Sequence, residues 1–346
     1  MKVLIISPKS KGIGGVASHV SELAAFLKER GFHVKIVSAE NTPIVSIKGL
    51  KNLSFAFFSL FHPYLMESRF DIAHAHNVPA AVPLKIARAQ VKILTLHGIY
   101  SKQISFLYGK KIGKIAEIVE RRMLSWIDGL TAVSRSVKKY YENLGLQVEY
   151  IPNAVNIRKF PKDSIRLYDT QIVYVGRLSK EKGVDILIKA FMKTELQAHL
   201  LIVGKGPLEP FLKRFAQKDN RIHFMGYLEH NKALRIIAGS DLLVLPSLYE
   251  GLSSVILEAM ALRTPVLASD ISENRELIEH EKTGFLFPTG NDDELASMLE
   301  YLLLRKDLLK EVSQRAYQLV LKEYTWDVVI KKYIDFYEKL AEAENL

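Results

Sequence analysis

The sequence predicts an α/β protein made of two doubly wound, Rossmann-like domains in tandem. Three observations predict it. Short runs rich in Val and Ile alternate with helical periods along the whole chain, the pattern of parallel strands covered on both faces by helices. The alternation starts afresh after "PNAVNIRKFPKDS", a proline- and charge-rich stretch that reads as a domain connection. At 346 residues the chain is long enough for about two domains with separate cores.

In the first half the pattern places strands at 2–7, 33–38, 71–76, 91–97, 129–134 and 148–152, and in the second half at 171–176, 199–204, 222–226, 241–246, 265–269 and 284–287. The tail "YTWDVVIKKYIDFYEKL", Tyr324 to Leu340, carries Trp326, Val329, Tyr333 and Tyr337 at the spacing of a helix burying one aromatic stripe.

Composition is that of a globular chain, 48% hydrophobic and 25% charged, with no cysteine, so neither disulfides nor thiolate zinc sites enter the account. No secretory signal opens the sequence. The stretch Asn52 to Met66 lacks acidic and basic residues, but it is shorter than the roughly 20 residues of a bilayer span and contains His62 and Pro63. The expected location is the cytoplasm.

Net charge of +10 favours an anionic contact: nucleotide phosphates, acidic lipid headgroups or nucleic acid. Lys102, Lys110, Lys111, Lys114, Arg121 and Arg122 cluster around a helical stretch, after the aromatic segment Phe55, Phe57, Phe58, Phe61 and Tyr64. One reading is a patch for an anionic membrane surface, which would make the protein peripheral on the inner face. The other is a solvated helix face beside an ordinary core cluster.

The opening loop "PKSKGIGGVASHV" joins the first strand to a helix, and its Gly12, Gly14 and Ala17 satisfy G-x-G-x-x-G/A, the spacing that brings backbone amides onto a pyrophosphate. A dehydrogenase fingerprint puts its first glycine at the strand end, whereas Pro8 to Lys11 intervene here; Glu40, ending the next strand, stands where such an enzyme would bind ribose. The loop alone leaves the ligand open.

Two motifs in the second half are more specific. "GRLSKEKG", Gly176 to Gly183, follows a strand and sets Arg177 and Lys182 five positions apart, so that one turn could aim both cations at a diphosphate; a solvated loop could carry them equally. "EGLSSVILEAM" sets Glu250 and Glu258 around a turn at Gly251 and a helix start at Ser253 or Ser254, whose free amides suit a phosphate. Were all eight residues helical, the carboxylates would stand about 12 Å apart and touch different parts of one long ligand. The plainer alternative makes Glu250 a helix-dipole partner and Glu258 an exposed helix residue.

Taken in order, "GIGGVASHV", "DIAHAH", "LTLHG", "LTAVS", "IPNAVN", "VGRLSKEKG", "LLIVGKGP", "FMGYL", "DLLVLPSLYEGLSSVILEAMA" and "TGFLF" resemble the retaining nucleotide-sugar glycosyltransferases of family four, over nearly the whole chain. The resemblance implies the GT-B fold, two Rossmann-like domains facing across a cleft: residues 1–157 with the tail helix 326–346 on the acceptor side, and 158–325 binding the donor. It implies that Arg177 and Lys182 neutralise the donor diphosphate in place of a divalent metal, that Glu250 contacts the donor sugar, that Glu258 grips the ribose and that His97 lies beside the sugar. Gly14 and Gly15 would meet the diphosphate as a mobile lip, with Leu252, Ser253 and Ser254 closing from the other domain and Gly176, Gly204 and Tyr227 lining the donor site. Two departures remove contacts seen in relatives: Asn153 to Asn156 replaces "NGVD", and Ser272 to Glu276 lacks a Gly-Gly pair.

The expected activity is transfer of a sugar, with retention, from a UDP- or GDP-linked donor to a hydroxyl of a glycan or lipid-linked acceptor, without cofactor, metal or nucleic-acid partner. Competing readings are a GT-B nucleotide-sugar epimerase, a noncatalytic nucleotide-sugar binder and an NAD enzyme. His74, His76 and His97 raise a metal site as a further alternative, although histidines at strand ends lining a cleft also account for them.

Overall fold

The computed structural model describes residues 1–10, 15–44, 51–66 and 68–343; Gly12 and Gly14 of the opening loop, and the last residues of the tail, lie outside them. The chain divides into two compact units, Met1–Ala154 joined by the C-terminal helix, and Val155–Thr325. The first unit resumes at Trp326, so the second is an insertion within it, entered after Ala154.

The first unit is a parallel sheet of β1 (Lys2–Ser7), β2 (His33–Ser38), β3 (Phe70–His76), β4 (Ala89–Leu96), β5 (Gly129–Ala132) and β6 (Glu149–Tyr150). The strands lie in the order β2-β1-β3-β4-β5-β6. Its helices are α1 (Gly15–Glu29), α2 (Lys51–Phe58), α3 (Pro63–Met66), α4 (Ala81–Ile86), α5 (Tyr100–Tyr108), α6 (Lys110–Leu124) and α7 (Arg135–Glu142). β1 is buried from Val3 to Ser7, which explains its uninterrupted apolar run: helices cover both faces.

The second unit repeats the plan with β7 (Gln171–Val175), β8 (His199–Val203), β9 (Ile222–Gly226), β10 (Leu242–Leu245), β11 (Val266–Ser269) and β12 (Phe285–Phe287), ordered β12-β11-β10-β7-β8-β9. Around it lie α8 (Val184–Met192), α9 (Glu209–Ala216), α10 (His230–Ala238), α11 (Ser254–Ala261), α12 (Ser272–Arg275), α13 (Asp292–Leu303) and α14 (Lys306–Glu323). All twelve strand positions expected from the apolar runs are strands, with ends differing by a few residues.

The final helix, α15 (Trp326–Ala343), returns to the first sheet and buries Trp326, Val329, Ile330, Tyr333 and Tyr337. These side chains share one core with Val3 and Ile5 of β1 and with Val20, Leu23 and Phe26 of α1. The opposite face of the sheet carries a second core, in which Phe55, Leu65, Leu84, Leu124 and Tyr141 pack on Leu4, Ile6 and Leu94. Polar groups tie α15 down as well, since the Tyr337 hydroxyl bonds His74 Nδ1 at 2.6 Å and the Tyr333 hydroxyl bonds His19 Nε2 at 3.0 Å.

Candidate active site

In a doubly wound sheet a ligand is expected beyond the carboxyl ends of the strands, where the winding direction reverses. In the second unit that reversal falls between the neighbours β7 and β10. The loop after β7 holds Gly176, Arg177 and Lys182; the loop after β10 holds Ser247, Glu250, Leu252 and Ser253.

Backbone contacts bring the two loops together. Leu248 N donates to Glu181 O at 2.8 Å, and Gly183 adopts φ +58° with its Cα so close to the Pro246 carbonyl that a Cβ would stand 2.3 Å from that oxygen. At the neighbouring edge Gly204, at φ +136°, passes the Gly176 carbonyl so tightly that a Cβ would meet it at 1.8 Å. Only glycine fits either place without strain. Gly204 therefore has a packing role that accounts for its presence without a ligand.

Within this junction Lys182 Nζ donates to Glu250 Oε1 at 2.5 Å, and Ser247 Oγ donates to the same oxygen at 2.8 Å. Glu250 is 8% exposed, so the carboxylate is shielded and fixed by two donors. Arg177 is exposed, and its guanidinium has no partner among the described residues. Its carbonyl accepts from the Tyr174 hydroxyl at 3.0 Å. Burial first, then the Glu250 and Glu181 carboxylates, hold the Tyr174 phenol well above its ordinary value, so it remains a neutral donor.

α11 begins at Ser254, with Ser253 as its N-cap residue, and the Ser253 side chain makes no capping bond. Glu250 thus lies in the loop before the helix, and the expected 12 Å helical separation from Glu258 does not apply: helix covers only the second half of that interval. Glu258 sits in the middle of α11 with its side chain 12% exposed, which removes the reading of an exposed helix carboxylate; His230 Nε2 lies 2.9 Å from its Oε1. Tyr227, directly after β9, is exposed. Leu252 and Ser253 are buried, Ser254 half-buried.

The first unit brings together different residues. Its winding reverses between β1 and β3. Gly15 opens α1, exposed; His76 ends β3; His97 follows β4. His76 Nδ1 and His97 Nε2 share a hydrogen bond of 3.1 Å. Burial, followed by the neighbouring imidazoles, pushes both pKa values well down, so these rings are neutral. Asn77, next to His76, has φ +66°, a left-handed backbone outside glycine's domain and thus a strained position at the strand end.

The grouping of His74 with His76 and His97 as metal ligands is corrected by the hydrogen bonds. Both His74 nitrogens are engaged, by the Tyr337 hydroxyl and the Thr95 hydroxyl, each at 2.6 Å. His19 of α1 takes its place: ligand atoms of His19, His76 and His97 lie within 4.8 Å of one another. That spread is wider than the roughly 3.3 Å between nitrogens on one tetrahedral zinc, given zinc–nitrogen bonds of about 2.0 Å. As it stands the cluster is hydrogen-bonded, and no chemical step is derived from a metal there.

Three of these residues carried no sequence signal of their own. Ser247 is a strand-end serine whose bond to Glu250 is set by the turn, His230 meets Glu258 from a different helix, and His19 meets His76 only through the docking of α1 on β3.

Known proteins resemble the chain over nearly its whole length. The family model for glycosyl transferases group 1 matches residues 156–319, and the model for glycosyltransferase family 4 matches 13–159. A phosphatidyl-myo-inositol mannosyltransferase of Mycobacterium leprae is 28% identical, with 99% of this chain and 97% of that protein covered. An N-acetyl-alpha-D-glucosaminyl L-malate synthase of Bacillus anthracis is 24% identical, covering 100% and 99%. Among solved structures, a sucrose-phosphate synthase from Thermosynechococcus elongatus superposes with a TM-score of 0.82 at 19% identity over 99% of each chain. The Anabaena protein HepE, solved with UDP-glucose, gives 0.76 at 19% identity over 98% of this chain and 100% of its own.

Proposed function

The chain belongs to glycosyltransferase family four, with the GT-B fold, and from that premise we propose that it transfers a sugar, with retention, from a nucleotide diphosphate donor to an acceptor hydroxyl. The observation that carries the reading is the meeting of Lys182 and Glu250, 68 residues apart in sequence, at the reversal point of the second sheet.

Departure of a nucleotide diphosphate leaves two negative phosphates and an electron-poor sugar carbon. Arg177 is the exposed cation for the first of these charges. Lys182 has three N–H donors, so it can keep its bond to Glu250 while another hydrogen points at a phosphate oxygen. That arrangement couples the charge on the leaving group to the position of Glu250, whose carboxylate then steadies the sugar. The bond from the anomeric carbon to the diphosphate oxygen breaks, a bond to the acceptor oxygen forms on the same face, and the acceptor proton passes to the departing phosphate. The amides opening α11 and the residues Leu252, Ser253 and Ser254 supply backbone donors for the phosphates. Glu258, oriented by His230, takes the ribose hydroxyls, and Gly176 and Tyr227 line the donor. The scheme assigns no step to a metal ion or cofactor, because Arg177 and Lys182 provide the compensating charge.

A UDP-linked donor is supported by the complex of HepE with UDP-glucose, and a lipid-linked acceptor by the names of the mycobacterial relatives. The test is release of nucleoside diphosphate from UDP- and GDP-sugars, with and without a lipid extract, read together with the anomer of the product. The expected result is acceptor-dependent release and a retained linkage. Free epimerised sugar nucleotide would replace this reading by an epimerase; donor binding without turnover on any acceptor would leave a binding protein.

A further inference from the structure

The two helical layers of the first unit differ in how they end at solvent. α1 and α15, on one face of the sheet, show no large exposed apolar side chain among the described residues. Among the described residues of the first unit, the opposite layer, α2 to α6, carries every other such side chain except Met1.

The asymmetry is sharpest in α6, whose amphipathicity is reversed. Its inward face holds Gly113, Glu120 and Leu124. Glu120, 2% exposed, accepts from the Tyr141 hydroxyl and from Ser101 N at 3.2 Å, so a satisfied polar anchor fixes this face. α5 packs so closely that a Cβ on Gly113 would lie 2.4 Å from Ser105 Cβ, which makes α5 and α6 a tight hairpin turning at Gly109. Ile112, Ile115, Ile118 and Val119, spaced as one helical face, point the other way, with Ile115 and Ile118 63% and 69% exposed. Exposed Lys110, Lys114 and Arg121 run along one border of that stripe, and Lys111 and Arg122 stand at its ends.

We propose that this α5–α6 face is a docking surface for an anionic lipid bilayer. The isoleucines and Val119 enter the boundary between headgroups and acyl chains, Phe106 and Tyr108 of α5 extend the apolar contact, and the lysines and arginines meet lipid phosphates from their long aliphatic stems. Fifteen helical residues are about 22 Å long and carry charges at both ends, so α6 lies in the interface plane. Charge selects this occupant over a second copy of the chain. A two-fold contact through the stripe would bring the same basic border against itself, and like charges oppose that contact. The inference does not depend on the transfer reading, because binding is measured without turnover.

The experiment is cosedimentation of the full chain at physiological salt with vesicles of phosphatidylcholine alone or mixed with phosphatidylglycerol. The variants are Ile115→Glu/Ile118→Glu, Lys110→Glu/Lys111→Glu/Lys114→Glu and, as a control on the other layer, Lys28→Glu. All replaced side chains are exposed, and thermal melts verify folding. Binding to the anionic vesicles is expected, with a loss of about 10-fold or more in each of the first two variants and none in the control. Equal and negligible sedimentation in every case overturns the proposal. So does unchanged binding in both α6 variants, or self-association abolished by Ile115→Glu/Ile118→Glu in a chain that ignores vesicles. Nucleoside diphosphate release from a soluble donor reports separately on the transfer reading.

Discussion

Lys182 holds the Glu250 carboxylate and is proposed to hold a phosphate during turnover, so its loss has two effects. Lys182→Ala releases Glu250 from one of its two donors and removes a positive charge from the leaving group; turnover should fall by about 10²-fold or more, and Arg177→Ala should do the same through charge alone. Ser247→Ala separates the two effects, because it removes one of the two donors to Glu250 Oε1 without changing charge; kcat should drop while nucleotide affinity stays near wild type. Glu258→Ala should show the reverse pattern, weaker nucleotide binding with a smaller change in turnover, measured by calorimetry beside steady-state kinetics. Normal binding and normal rates in both Ser247→Ala and Glu258→Ala would place the site elsewhere. The cations and glutamates were legible because their motifs are local and compact. Ser247 and His230 were not, since a hydrogen bond formed by a turn or between helices leaves no spacing to read. The buried histidines add a pH dependence. Burial holds His19 near a pKa of about 3, and burial with His19 does the same for His74, against an ordinary 6.5. Below pH 6.5 the unfolded chain takes up protons that the folded chain refuses, so stability present above that pH is lost progressively down to about pH 3. Urea unfolding should therefore show a lower midpoint at about pH 5 than at about pH 7.5; a midpoint unchanged over that interval would contradict neutral burial.

At the scale of elements, the strands were the most legible features, because a strand buried on both faces must be continuously apolar and the short runs of Val, Ile and Leu are bounded by turns. The helices of the α2 to α4 layer were read only as an aromatic segment: Phe55 goes fully inward while Phe57 and Phe61 stay exposed, and no single period marks that division. The aromatic stripe of α15 was visible because four large side chains repeat at helical spacing, and the structure puts all four in the core with β1 and α1. Trp326 is 1% exposed and stacks on Phe26, with ring centroids 5.7 Å apart, so Trp326→Ala should cost about 3–5 kcal/mol of stability in the first unit. The reading is a denaturant titration followed by far-ultraviolet dichroism, and a loss below about 1 kcal/mol would mean that α15 is not integral to that core.

Over the whole molecule, the second unit is an insertion whose two ends meet. Val155 pairs in parallel with Thr325, and Val155 N donates to Tyr324 O at 2.9 Å, so the points of entry and exit are side by side. Chain ends already closed in this way lose little when the flanking sequence is removed. The second unit also contains a six-stranded sheet and both proposed cationic residues. The first unit lacks that independence, since Met1–Ala154 without α15 would leave Val3, Ile5, Leu23 and Phe26 without the tryptophan and tyrosines that cover them. Residues 155–325 produced alone should thus unfold cooperatively and bind nucleoside diphosphate, weakened by any contact that the first unit supplies, while showing no transfer. Residues 1–154 alone should be unstable, and joining the 326–346 segment to them through a short glycine-serine linker should restore a cooperative transition. Failure of 155–325 to fold would show that the insertion depends on its host, and folding without nucleotide binding would move the donor contacts away from Lys182, Glu250 and Glu258.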